Sequence, residues 1–132
     1  MVSKRPEIVK FFELALNAKR ADDELRAEFS NVEYEAVLDH VLANPELRSD
    51  LVGAFLKIAY DPSLGPIDLV EFCMHYLRWE EVELSFLNRL ETERSERARS
   101  ALRRLLGSFD QNWPEADLYR RFRKVEDEPP AN

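Results

Sequence analysis

The chain has one cysteine, three glycines and two histidines in 132 residues, and each scarcity narrows what it can be. A lone Cys73 cannot close a disulfide within the chain, which points to a reducing compartment and makes the cytoplasm the expected location. So few glycines argue against phosphate-cradling loops, and no P-loop, GxGxxG, GxSxG or HExxH pattern occurs. His40 and His75 have no second histidine at i+4 and there is no cysteine pair, so zinc spacing is absent and neither metal nor cofactor is expected. No apolar run approaches the ~18 residues that cross a bilayer. The start, MVSKRPEIVKFF, lacks the apolar stretch and small-residue cleavage site of a signal peptide, so no membrane partner is expected.

What is abundant is helical pattern. Hydrophobic residues make up 45% of the chain and aromatics 11%, ample for one core. A chain of this length buries roughly two-thirds of its unfolded surface as a single domain. Pro66–Trp79, PIDLVEFCMHYLRW, is apolar on nearly every side at 100° per residue, the mark of a helix buried by neighbours before and after it. Its polar residues, Asp68, Glu71, His75 and Arg78, form one narrow stripe, expected to face water or an interface. A carboxylate one turn from an imidazole is also what a general base needs, so Glu71 and His75 would be the pair to test for catalysis. With no catalytic motif beside them, the chain is read as non-enzymatic.

The remaining helices follow from start and stop signals. Pro6 opens a helix with Ile8, Phe11, Phe12, Ala15 and Leu16 inside, ending near Ala18. Ala21–Phe29 reads as a shorter segment capped by Asp22, with Leu25 and Phe29 inward. Ser30 and Glu33 have capping-box spacing, with Phe29 and Tyr34 as a staple, for a helix through Val37, Leu38, Val41 and Leu42. Asn44-Pro45 starts the next, to about Tyr60, and Asp61–Pro66 is a loop. After the central helix come one ending near Glu91 and another capped by Ser95. Pro114 opens a last helix with Leu118, Tyr119 and Phe122 inside. The expected result is an all-α domain over residues 1–125 with about seven helices, followed by a disordered acidic tail over 126–132.

Three hexads, Val37–Leu42, Phe72–Leu77 and Ala101–Leu106, share the pattern apolar-apolar-x-x-apolar-apolar and begin 35 and 29 residues apart. Each precedes a turn and a second helix. In this the chain resembles HEAT-like helical-repeat proteins, which implies stacked antiparallel helix pairs, a short α-solenoid, over about residues 30–124. An irregular helical bundle fits the same pattern.

Charge supplies the functional expectation. The formal net charge is −7, and residues 1–50 hold 11 acidic against 7 basic side chains. Asp22, Asp23, Glu24, Glu28, Glu33, Glu35 and Asp39 form a dense negative run suited to steering a basic partner protein. A small, acidic, motif-free helical chain is similar in general type to bacterial immunity proteins, which implies a basic toxin as partner. The alternative is nucleic-acid or phosphate-ligand binding through Arg120, Arg121, Arg123 and Lys124, interleaved with Tyr119 and Phe122. Acidic neighbours shadow those arginines, which makes nucleic acid the weaker expectation. Cys73, among Val70, Met74 and Leu77, reads as a small core residue.

Overall fold

Helical periodicity runs on where the sequence suggested a break. The structure, a computed structural model, describes residues 5–24 and 27–123. Phe11, Ala15, Ala18 and Ala21 are buried along one face, so the apolar stripe continues past Ala18 and the first helix, α1, spans Arg5–Asp23. Asp22 therefore lies in its last turn and is not a cap. Helix α2 spans Ala27–Ala43, which puts Ser30 inside it and overturns the capping-box start. The alanines of α1 let its backbone come close to α2. Leu25, the Phe29 side chain and the tail over 126–132 lie outside the described residues.

A 3₁₀ turn, Pro45–Leu47, leads into α3, Arg48–Tyr60. Asn44 makes no side-chain cap there; its Nδ2 donates instead to the His40 carbonyl at 2.8 Å. After a second 3₁₀ turn, Pro62–Leu64, come α4 (Ile67–Leu77), α5 (Glu80–Thr92) and α6 (Glu96–Gly107). Gly65 in the α3–α4 loop packs closely on α1: a Cβ there would sit 3.2 Å from the Ala15 Cβ. Ser95 caps α6 as expected, its Oγ accepting from the Ala98 N–H at 3.3 Å. The final segment is not an α-helix. It forms two 3₁₀ turns, Pro114–Leu118 and Arg120–Phe122, with Leu118 63% exposed and Tyr119 buried.

The domain is all-α, with six α-helices and no strand among the described residues. Consecutive helices pack as the pairs α1–α2, α3–α4 and α5–α6. Odd helices also contact odd and even contact even, giving two rows, α1–α3–α5 and α2–α4–α6. Pairing thus begins one helix earlier than the hexads suggested, and α1 belongs to the stack rather than preceding it. Three ties between row neighbours join residues 33 apart: Arg48 to Glu81, His75 to Ser108 and Glu71 to Arg104.

Helix α4 is central, as its pattern demanded. Leu69, Val70, Phe72, Cys73 and Met74 are all fully buried. In the odd row Phe11, Phe55 and Trp79 meet edge to face, at centroid distances of 5.0 and 5.8 Å. Arg78 ends α4 in the left-handed region, φ 49° and ψ 44°, where a Cβ is unfavourable. Its Nε reaches the His75 carbonyl only at 3.3 Å. Arg78→Gly is expected to raise stability by about 0.5–1 kcal/mol in urea titration; a loss of similar size would show that the side-chain contact outweighs the backbone strain.

Candidate functional site

The middle of the polar stripe of α4 does not face water, although Asp68 is half-buried and Arg78 exposed. Glu71 is 1% and His75 9% exposed, because α6 and the segment after it lie across them. Arg104, on α6, pairs with Asp68 and, at 2.9 Å, with Glu71 Oε1. Oε2 of Glu71 is buried without a hydrogen-bond partner. Burial pushes the Glu71 carboxyl up to about 7, outweighing the pull of Arg104 in the other direction. His75 Nδ1 donates to the Ser108 carbonyl at 2.8 Å, which fixes the proton on that nitrogen. Its ring sits 4.9 Å from Trp113 and 4.6 Å from Phe122, centroid to centroid. Glu71 and His75 are thus spent on holding α4 to α6 and the chain end, with no open surface for a substrate between them.

The segment 113–123 is a strap over α4 and α2. Tyr119 lies between Tyr34 and Trp113, near-parallel to both at 5.8 Å, and Phe72 meets Tyr119 at 5.0 Å and Phe122 at 5.3 Å. The Tyr34 hydroxyl donates to Asp22 Oδ2 at 2.6 Å, tying the end of α1 to α2. Burial first, and that carboxylate second, push the Tyr34 phenol well above its ordinary range.

The strap joins the two candidate sites into one. Arg121 Nε donates to both Glu35 oxygens, at 3.1 Å to Oε2, and Nη2 lies 3.6 Å from Asp39 Oδ1. Its guanidinium also covers Tyr76, 5.0 Å from the ring centroid. Arg123 Nε donates to the Asp117 carbonyl, and the Arg120 N–H reaches Asn31 Oδ1. A groove of about 570 Å³ lies here, walled by Glu35, Asp39, Arg120 and Arg121 over Val32 and Ala36. Elsewhere on the acidic run, Asp23 pairs with Lys19 at 2.9 Å and Glu33 is half-buried. The Glu28 side chain and Lys124 lie outside the described residues.

No family model, curated protein or solved structure matches the chain. Among the described residues no group of His, Cys, Asp and Glu could hold a metal ion, and no helix is long and apolar enough to cross a membrane. His40 Nε2 donates to the Glu7 carbonyl at 2.8 Å, a structural role. Cys73 is fully buried and its thiol is pushed up by that burial, so it is a core residue and no nucleophile.

Sequence reasoning missed Arg104, Ser108 and Arg121 as partners. One signal was available: His40, His75 and Arg104 all occupy the fourth position of their hexads, and each donates to a neighbouring segment.

Two outcomes follow for measurement. Folded Glu71 binds its proton up to about pH 7 while the ordinary value is 4.5, so its own contribution to stability is greatest below 4.5 and falls as pH rises through that window. The fall is on the order of 3 kcal/mol. Glu71→Gln cannot titrate, so its stability minus that of wild type should climb between pH 4.5 and 7.5; a constant difference across that range would refute the assignment. Cys73 should react with a thiol reagent only at the rate of global unfolding, read by labelling across a denaturant series, and prompt labelling of native protein would contradict its burial.

Proposed function

We propose that the chain is a non-catalytic protein-binding module of HEAT-like stacked helix pairs, whose α1–α2 edge receives a basic segment of a partner protein. The observation that carries this reading is Arg121 on Glu35 and Asp39. The chain's own arginine supports it: a guanidinium held by Glu35 and Asp39 of α2 and stacked on Tyr76 of α4. Asp23, Glu24 and Glu33 extend the negative potential around it, which would raise the encounter rate with a basic surface. The half-open groove and the 63% exposed Val32 supply apolar contact beside the charges.

An immunity-type role, with a basic toxin as the partner and the cytoplasm as the setting, is the most specific form of this reading. The anion-binding alternative is weakened, since its central cation, Arg121, is committed to two carboxylates.

Reversal of Asp23, Glu24, Glu33 and Asp39 to lysine should slow association with the partner captured from the source cell at least tenfold and flatten its salt dependence. Reversal of Glu80, Glu83 and Glu91, on α5, is the control. Equal losses in both sets, or none in the first, would refute the assignment of the edge. Suppression of a captured toxin's activity by the wild-type chain would separate the immunity role from simple binding.

A further inference from the structure

Helix α6 packs on α5 and α4 but stands off α3, and the side chains it turns toward that gap are small. Ala98 and Ala101 are only half-buried, with Leu102 behind them and Ile67 of α4 at the side. A longer side chain at either alanine would close the space. What remains is a half-open cleft of about 340 Å³ with a hydrocarbon floor.

Its charged groups all come from the α5–α6 corner. Arg89 is held in place, Nε to Glu93 Oε2 at 3.2 Å and its guanidinium 4.9 Å from the Tyr60 ring centroid. Arg97 lines the same cleft and has no ion-pair or hydrogen-bond partner among the described residues. With Glu93 already engaged by Arg89, the lining carries one uncompensated positive charge. Apolar floor and cationic rim together select a molecule with a hydrocarbon body and one anionic end.

We infer that this cleft binds a small amphipathic carboxylate, its aliphatic chain lying over Ala98, Ala101 and Ile67 and its carboxylate on Arg97. A half-open cleft of this size takes a short aliphatic chain, for which octanoate is the probe. A guanidinium receives a carboxylate through two parallel N–H bonds, which an alcohol or an amine cannot match. The site lies apart from the α1–α2 edge and stands independently of the proposed partner.

Octanoate, octan-1-ol and octylammonium share one chain and differ in head group. Titrated into isotope-labelled protein, octanoate should shift the amides of Ile67, Ala98 and Ala101 saturably, at least tenfold more tightly than either other compound. Arg97→Glu should weaken octanoate about tenfold and leave octanol unchanged. Ala101→Phe fills the cleft and should abolish the shifts; Ala98→Leu is the milder filling variant, should the first fail to fold. Equal affinity for octanol and octanoate, indifference to Arg97→Glu, or the absence of saturable shifts at those amides would each overturn the inference.

Discussion

Everything else in the fold is arranged around a carboxylate in the wrong place for one. Glu71 sits in the most buried helix, one oxygen on Arg104 and the other without a partner. Such a pair is weak evidence for stability, because desolvating two charges costs several kcal/mol and their attraction returns little more than that. What it does fix is geometry. Arg104 can meet both Asp68 and Glu71 only if α6 lies along α4 at one register. His75 and the Ser108 carbonyl then fall opposite each other one turn further on, again 33 residues apart. A one-turn slip would strand a buried carboxylate and a buried imidazole together. The polar stripe thus selects the alignment of the even row, while the apolar faces supply the energy.

That register decides what the chain does after α6. Ser108 is fully buried, its Oγ donating to the Leu105 carbonyl at 2.6 Å while its own carbonyl takes the His75 proton. The chain leaves α6 over α4, and Trp113, Tyr119 and Phe122 are brought to the rings they cover. Those three aromatics cover Tyr34 of α2 and Phe72 and His75 of α4.

The fold was largely legible because helix signals are local. The buried central helix, the loop at Asp61–Pro66 and the Ser95 cap each follow from a few adjacent residues, and each holds. The misreadings occur where a distant partner outweighs local pattern. A Ser-x-x-Glu spacing promised a helix start at Ser30, but α2 begins earlier, at Ala27, and packs along the alanine face of α1. Asp68, Glu71 and His75 look like a solvated stripe until a helix starting nearly 20 residues further on supplies an arginine and a carbonyl. Pro114 was a sound start signal, yet Tyr119 and Phe122 seat in aromatic pockets that a 3₁₀ turn reaches and a continuous α-helix need not. The acidic and basic candidate sets were both visible; their meeting at Glu35 and Arg121, 86 residues apart, was not.

That meeting changes what net charge means here. A total of −7 suggests an open acidic surface, but Arg121 neutralises part of it from within. The magnitudes say how a basic partner could still bind. An ion pair about a third exposed, such as Arg121 with Glu35, contributes at most about 1 kcal/mol. Burying the aromatic rings of the strap contributes several times that. The strap is therefore held chiefly by Tyr119 and Trp113 and only secondarily by Arg121. A partner's guanidinium would then replace one cation by another on the same carboxylates, a near-balanced exchange in which the surrounding apolar contacts at Val32 and Ala36 decide the affinity. Under the proposed reading, long-range charge would bring a basic partner to this surface, and the shape beside the charges would determine which partner stays.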